Sequence, residues 1–426
     1  MKKHSLAAVA LLVVLSLLVA IPAFAEAGVA FDGAIEKDGI ETPEGAGALG
    51  GLAQLDLDGA ALVSEDVKAN DEGDEIVAKI NKANFPAADF RNYVLANIDA
   101  NGDRKLSRAE AEAVTRLMLR TYEDAEEGKN AWNISTLKGV EYFSNLVQLE
   151  CHMCNVKELD VTKNTRLEAL DCEHNRLAKL DVSKCPNLDE LRCRDNRLTK
   201  LDLSKCRKLT ELDCSENQLK ALNVTRCPGL EELKCSSNKL TKLDLSKCRK
   251  LKELDCSANQ LSKLNASQCT ALEELFAWEN KLTALNVSKC KKLEELYCQE
   301  NQLDALNVTN CPKLEALVCG DNPLKKLNIT KNTRLEHLNC FATKLTALDV
   351  SKCRKLKSMY TWKAPIKTID LKNCPTLRGY IKNGDKWTKD DFLGWKATID
   401  GEYTDGIIIS ASTTLTNGKT VLYKGK

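Results

Sequence analysis

A fixed period of 21 residues constrains this chain more than any other feature of its sequence. Eleven units follow one another without an insertion over residues 146–376, and the unit at 209–229 reads LTELDCSENQLKALNVTRCPG. A unit of this length cannot bury its own apolar face, so successive units are expected to stack and bury those faces together. The period therefore predicts one solenoid, where the length of 426 residues alone would suggest two or three ordinary domains.

Each unit contains an alternating segment followed by a shorter apolar segment. Alternation at period two predicts a half-buried strand, and strands of successive units would pair as a parallel sheet about 4.8 Å apart. The second segment is too short for a helix, so extended structure or short strands are expected there. In the unit at 209–229 the residues expected to face inward are Leu209, Leu212, Cys214, Asn217, Leu219, Leu222, Val224 and Cys227.

The pattern L-x-x-L-x-C-x-x-N-x-L resembles the leucine-rich repeat closely, with cysteine where leucine is more usual. The resemblance implies a β-rich, right-handed superhelix whose parallel sheet lines a concave face. In its repeat logic the chain is similar to internalins, secreted bacterial proteins that bind host surface proteins through that face. The ninth position holds asparagine in eight successive units, from Asn175 to Asn322. Such a buried amide is expected to donate to a carbonyl of one coil and accept from an amide group of another.

Nineteen cysteines would ordinarily suggest a disulfide framework in an exported protein. Eighteen of them recur at the sixth and nineteenth positions of the units, and Cys154 lies in the asparagine position. Stacked side chains of this kind run parallel, which is poor geometry for a disulfide, so buried free thiols are expected. The segment Cys151-His152-Met153-Cys154 also permits a redox pair or a zinc site, as the weaker interpretation.

The first 25 residues have the pattern of a bacterial-type signal peptide. Lys2 and Lys3 precede an apolar stretch, and Ala23-Phe24-Ala25 offers a cleavage site. Residues 26–75 are rich in Ala, Gly, Asp and Glu and are interpreted as an acidic flexible linker. We therefore expect a secreted, extracellular or surface-associated protein, with no membrane insertion after the signal is removed. The net charge of +1 gives no reason to expect nucleic-acid binding.

Residues 76–145 are expected to form a helical N-terminal cap and a degenerate first repeat with a loop insert around 122–131. Helix-like spacing at 85–98 and 107–119 flanks the segment DANGDRKLSRAE, which resembles an EF-hand loop. The resemblance implies a structural calcium ion held by Asp99, Asn101, Asp103, the carbonyl of Lys105, Ser107 and Glu110. Arg104 stands where the family usually has glycine, and its charge and the required positive φ should weaken the site. The alternative is an ordinary polar helix–loop–helix.

The end of the chain, residues 377–426, breaks the period and is expected to form a short β cap over the last coil. Asn417-Gly418 between two strand-like segments predicts a type I′ hairpin. Basic turns such as 205–208 and 289–292 lie on another edge of the coils, where they are expected to keep the protein soluble.

The third, fifth and seventh residues of each unit should point outward from the concave sheet. All six aromatic residues of the repeats occupy the fifth or seventh position, and with one valine they form a predicted ligand-binding strip: Phe276, Trp278, Tyr297, Val318, Phe341, Tyr360 and Trp362. Exposed rings are favoured at interfaces; the alternative is that the C-terminal cap packs on them. A secondary acidic strip, which would suit a cationic partner or remain solvated, comprises Glu190, Glu211, Glu232, Glu253, Glu274 and Glu295.

Three histidines, His152, His174 and His337, remain after the signal, each on a different coil, and no catalytic motif is present. The sequence therefore predicts a non-catalytic protein that recognises an extracellular protein or glycan through its concave face. A structural or spacer protein of the cell envelope is the alternative, and an enzyme with a site in residues 377–426 is a remote one.

Overall fold

The computed structural model describes residues 74–119, 134–382, 406–409 and 412–423, all within one compact unit of the chain. The predicted signal peptide, nearly all of the acidic linker and the loop insert around 122–131 lie outside the described residues. No helix in the described ranges is long and apolar enough to cross a membrane.

A parallel sheet of thirteen strands forms the main element of the fold. Each repeat unit contributes one strand, and residues 21 apart pair in register, as in Glu211↔Glu232 and Leu212↔Leu233. The stacked parallel-sheet solenoid predicted from the period is therefore confirmed. The eleven repeat strands are β4 (Gln148–Glu150), β5 (Ala169–Asp171), β6 (Glu190–Arg192), β7 (Glu211–Asp213), β8 (Glu232–Lys234), β9 (Glu253–Asp255), β11 (Glu274–Phe276), β13 (Glu295–Tyr297), β15 (Ala316–Val318), β17 (His337–Asn339) and β18 (Ser358–Tyr360).

The second segment of five units forms a short strand, as its length predicts. β10 (Lys263–Asn265) pairs in parallel with β12 (Ala284–Asn286), and β14 (Ala305–Leu306) pairs in parallel with β16 (Lys326–Leu327). The remainder of this side is extended chain and turns, so successive coils can stack without a helix between them. The fifth of these strands is β19 (Thr368–Asp370).

The core contains the residues that the pattern predicts. All eight inward residues of the unit at 209–229 are buried, with at most 7% of any side chain exposed. All nineteen cysteines are free, buried thiols, and burial raises the pKa of Cys185 and Cys206 to about 12. These thiols therefore act as small apolar groups that fill the core.

The asparagine column forms a hydrogen-bonded ladder between neighbouring coils. The Asn217 Nδ2 group donates to the carbonyls of Cys193, Cys214 and Ser215, and Oδ1 accepts from the Leu198 N–H at 2.9 Å. The predicted pairing is confirmed, because the amide donates to carbonyls of its own coil and accepts from an N–H of the preceding coil. It also donates to the Cys193 carbonyl of that preceding coil, a bond that the sequence did not predict.

Two further repeating features escaped the sequence analysis. The eighth residue of all eleven units has a left-handed backbone, with φ between 47° and 60°, although none of them is glycine. The fifteenth residue is Asp or Asn throughout, and its side chain accepts a hydrogen bond from the N–H two residues later. Such Asx turns close the bend before the next coil begins.

The N-terminal segment contains two helices and a two-stranded antiparallel sheet. Helix α1 (Ala88–Asn97) precedes the acidic loop, and α2 (Arg108–Ala113) follows it; β1 (Ile76–Lys79) pairs with β2 (Lys105–Ser107). The second predicted helix, 107–119, was too long. Its last residues form β3 (Arg116–Met118), which pairs in parallel with β4 and extends the main sheet. Pairing of that backbone with β4 outweighs the local helical spacing.

The described part of the C-terminal segment begins with a helix that the sequence analysis did not predict, α3 (Pro375–Lys382). Strand β20 (Gly406–Ile408) then pairs in parallel with β18 at the end of the main sheet. The expected hairpin is present: β21 (Thr414–Asn417) and β22 (Thr420–Tyr423) are antiparallel. The predicted type I′ turn at Asn417-Gly418 was wrong, because Asn417 pairs with Thr420 and only Gly418 of the two turn residues has a positive φ, at 68°. β21 also pairs with β19, so this segment covers open edges at the last coil.

Candidate binding surface

The concave sheet separates the side chains of each unit onto two faces. The leucine or methionine at the fourth position points into the core and is at most 1% exposed in every unit. The third and fifth residues flank it in the strand, so they lie on the opposite face of the sheet. The strand register places equivalent residues of neighbouring coils side by side, which makes one continuous surface.

The predicted aromatic strip lies together on this surface, but its expected exposure is wrong for most members. Five of the seven are buried: Phe276 (3% exposed), Trp278 (8%), Tyr297 (1%), Val318 (1%) and Phe341 (8%). Tyr360 and Trp362 alone are half-buried. Whether the strip binds a ligand stays a prediction.

Contacts between neighbouring coils explain part of this burial. The rings of Phe276 and Tyr297 lie 5.0 Å apart at an angle of 30°, because coils separated by one strand spacing bring adjacent rings into contact. Phe341 packs directly on the backbone of Gly320, where a Cβ would lie 2.2 Å from the ring. The exposed end of the strip is Trp362, over whose ring the Lys363 ammonium lies at 4.2 Å.

Gln299 is a polar residue of this surface that the sequence analysis missed. It occupies the seventh position of its unit, and its side chain is 1% exposed. Neither Oε1 nor Nε2 has a hydrogen-bond partner within the part of the chain that the structure describes. The signal was available in the sequence, since Gln299 follows Trp278 by one period and precedes Gly320 by another.

All six members of the acidic strip are half-buried. Arg192 binds two of them, Glu190 and Glu211, with both contacts at 2.9 Å. Lys234 binds the next two in the same way, Glu232 at 2.5 Å and Glu253 at 3.4 Å. These bridges relieve the repulsion predicted from the sequence, and they use basic residues that the fifth position supplies.

Two carboxyl groups of the acidic strip have raised pKa values. Burial, followed by repulsion from Glu274, raises the pKa of Glu295 to about 7, against a stabilising hydrogen bond with Tyr297. Burial also raises the pKa of Glu253 to about 7, although the nearby Lys234 opposes the shift. Part of the strip therefore changes charge near neutral pH.

The remaining candidate chemistry is dispersed. His174 Nδ1 lies 2.9 Å from Asp195 Oδ2, and His152 Nδ1 lies 3.6 Å from Asp171 Oδ2 on the next coil. Burial raises the pKa of Cys151 well above its ordinary value, which suppresses the thiolate that redox or metal chemistry requires. In the described ranges, no three His, Cys, Asp or Glu side chains converge as metal ligands.

The EF-hand-like loop has several hydrogen bonds that hold it closed. Arg104 has φ 61°, as its position requires, and its N–H donates to Asp99 Oδ2 at 3.1 Å. Glu110 accepts one N–H on each oxygen, from Ala100 and from Ser107, both at 2.9 Å. Asp99 is 8% exposed, and its other oxygen, Oδ1, is buried without a hydrogen-bond partner among the described residues. Burial raises the pKa of Asp99.

Comparison with known proteins agrees with this architecture. The model of a family described as "Leucine Rich repeats (2 copies)" matches residues 186–224 and 228–268. A comparison with curated proteins gave no match. Among solved structures, the functional domain of InlJ from Listeria monocytogenes, described as including a cysteine ladder, is 29% identical, with a TM-score of 0.61, and the match covers 71% of this chain and 70% of that one.

A second solved structure, the internalin InlF from the same organism, is 18% identical, with a TM-score of 0.60. That match covers 69% of this chain and 91% of the other, and at this identity it bears on the fold alone. Leucine-rich-repeat proteins are commonly protein-binding scaffolds, and neither comparison indicates an enzyme family. The chain therefore carries leucine-rich repeats and has the leucine-rich-repeat fold, in the parallel-sheet form seen in these internalin structures.

Proposed function

We propose that the protein is secreted and recognises an extracellular protein or glycan through the concave face of its repeats, without catalysis. The observation that carries the proposal is Gln299. A buried amide without partners destabilises a fold by about 1–3 kcal/mol, and the repeat pattern does not require a polar residue at this position. An amide kept there, one period after Trp278, would hydrogen-bond a ligand once the side chains that cover it move aside.

Two other features of the same surface support recognition. The side chains change from charged residues in the first six coils to rings in four of the last five, so the surface is chemically graded along its length. Tyr360 and Trp362 keep part of their rings accessible at one end. Rings of this kind are favoured where protein and sugar ligands dock.

A spacer protein of the cell envelope is the alternative function. It would require the stacked coils but no particular concave side chains, so it leaves Gln299 without an explanation. An enzymatic site in residues 377–426 has no support from the residues of that segment that the structure describes.

Capture of ligands by the full chain would test the proposal. Secreted wild-type protein would be applied to a glycan array and used in a pull-down from extracellular material, in parallel with Trp362→Ala and Gln299→Met. The control is Tyr142→Ala, which removes a half-buried ring away from the main sheet. We expect both concave variants to lose the captured ligand, while the control and the melting temperature of Trp362→Ala stay close to wild type. Equal capture by all four proteins, or no specific capture by any, would refute concave-face recognition.

We also propose that the EF-hand-like loop binds calcium, for which the buried Asp99 Oδ1 is the supporting observation. An ionisable oxygen held inside without a donor fits a hard cation. Asn101, Asp103 and the carbonyl of Lys105 would supply further oxygens, with Ser107 acting through a water. Glu110 fits less well, because both of its oxygens accept backbone N–H groups; it would have to release them to bind the ion.

Calorimetric titration of the full chain with CaCl₂ tests this second proposal. The wild-type protein should bind one equivalent of calcium, and chelator should lower its melting temperature. Asp99→Asn should not bind calcium, and chelator should leave its melting temperature unchanged. Glu112→Gln removes an exposed carboxylate next to the loop and serves as the control. Absence of binding heat, together with a melting temperature that chelator does not change, would contradict it.

A further inference from the structure

The turn that closes each coil carries a charge pattern with twice the period of the repeat. Positions 18, 20 and 21 hold two or three basic residues in the odd-numbered coils and at most one in the even-numbered coils, over nine consecutive coils. The even coils up to the eighth have Pro186, Pro228, Thr270 and Pro312 at position 20, whereas the tenth coil, with Lys352, Arg354 and Lys355, breaks the alternation. The basic residues of the odd coils, called the basic ridge below, are Lys163, Arg166, Lys205, Arg207, Lys208, Lys247, Arg249, Lys250, Lys289, Lys291, Lys292, Lys331 and Arg334.

Stacking of the coils places this ridge along one edge of the solenoid. Residues 21 apart contact each other at the turn, as Lys208 Nζ shows by donating to Asn187 Oδ1 at 2.9 Å. Two coils advance by about 10 Å at the strand spacing of about 4.8 Å. The five basic turns therefore recur every 10 Å or so, over a length of roughly 40 Å.

The charges at the centre of the ridge are exposed and are not neutralised by ion pairs. Positions 18 and 20 of the third, fifth and seventh coils are all exposed, and the described residues include no ion pair for any of the six. Position 21 behaves differently, since Lys292 lies 4.0 Å from Glu273. Asp202 and Asp244 offset part of the charge of the ridge. Hydrogen bonds from serine are the main cause that lowers the pKa of these two carboxyl groups, and the nearby Lys205 and Lys247 lower it further.

We infer that the basic ridge binds a linear acidic polysaccharide with about one anionic group per disaccharide. A disaccharide is about as long as two coils, so successive anions would meet successive basic turns. The small or proline-containing turns between them leave room for the uncharged parts of the chain. At physiological ionic strength the screening length is about 8 Å, so an anion near one basic turn is only weakly attracted by the next, and matched spacing strengthens binding.

The ridge is separate from the concave face, so this site and the proposed function can fail independently. The p20 variant, Arg207→Gln, Arg249→Gln and Lys291→Gln, removes one charge from each of the three central turns. The control variant, Lys200→Gln, Lys242→Gln and Lys263→Gln, removes three equally exposed charges away from the ridge. Both variants change the net charge by the same amount and leave the buried core intact.

Binding of hyaluronan, which carries one carboxylate per disaccharide, would be measured by biolayer interferometry for the full chain at several salt concentrations. We expect saturable, salt-sensitive binding that the p20 variant weakens by about tenfold, at a factor of roughly two to three for each exposed contact. The control variant should stay within about twofold of wild type, and neutral dextran should not bind. Equal loss in the two variants, or no hyaluronan binding at low salt, would overturn the inference. Comparable ridge-dependent binding of duplex DNA or anionic vesicles would overturn the polysaccharide assignment.

Discussion

Replacement of a single asparagine in the ladder tests the physical reason for the repeat. In Asn217→Ala four hydrogen bonds disappear, three donated by Nδ2 and one accepted by Oδ1. The three carbonyls each keep another donor, because Cys193 O still accepts from Asn196, Cys214 O from Asn238 and Ser215 O from the Asp195 N–H. The N–H of Leu198, in contrast, loses its acceptor, because Asn217 Oδ1 is removed.

The cost should therefore come mainly from one buried N–H group. Leu198 is 0% exposed, and a buried donor without a partner destabilises a fold by about 1–3 kcal/mol. With the small cavity left by the amide, we expect Asn217→Ala to lower the free energy of unfolding by about 2–3 kcal/mol. Asn217→Thr should lose nearly as much if its hydroxyl donates to a carbonyl, as that of Thr343 does at 2.9 Å in the tenth unit.

Urea denaturation followed by far-ultraviolet circular dichroism would measure these differences. Gln218→Ala is the matched control, because Gln218 is the exposed neighbour of Asn217, and it should change stability by less than about 0.5 kcal/mol. A loss in Asn217→Ala no larger than that of the control would refute the role assigned to the ladder. Full recovery in the threonine variant would mean that its hydroxyl accepts from the Leu198 N–H, and it would contradict the donor role expected from Thr343.

Three further perturbations follow from the geometry. Ala258→Gly should stabilise the protein by about 0.5–1 kcal/mol in the same urea assay, because φ is 49° at this position and glycine adopts that backbone without strain; a loss of stability would contradict this. Gly320→Ala should destabilise through the 2.2 Å approach to the Phe341 ring, and Phe341→Ala should recover part of the loss in a double-mutant cycle, whereas strict additivity would refute the contact. Burial raises the pKa of Glu253 and Glu295 from the usual 4.5 to about 7, so the folded state binds these protons more tightly and stability should fall as pH rises from about 4.5 to about 7. Replacing both with glutamine should flatten the melting temperature over that range, and an unchanged slope would contradict the shifts.

At the candidate surface, the sequence predicted which face of the sheet the side chains occupy, but not how exposed they are. Period and alternation placed Phe276, Tyr297 and Tyr360 on one face correctly, since the face of a strand residue depends on its position alone. The exposure of these rings was not predicted, because it depends on which neighbouring rings are in contact. The 5.0 Å contact of Phe276 with Tyr297 can be seen only in the tertiary structure. The ion pair of Arg192 with Glu211 was hidden for the same reason, as it joins side chains on different coils.

The backbone conformation within the repeat was likewise not predicted in full from the sequence. The eighth residue is left-handed in every unit, yet it carries no glycine signal, because stacking of eleven coils stabilises a bend that each residue alone disfavours. A period of 21 residues, with leucine, cysteine and asparagine at fixed positions, was sufficient to determine the solenoid, its inward residues and its parallel register, since those depend on which side chains must leave water. The tertiary structure decided what depends on distances between coils: the additional asparagine bond to a carbonyl of the preceding coil, the burial of the rings and the length of the second helix.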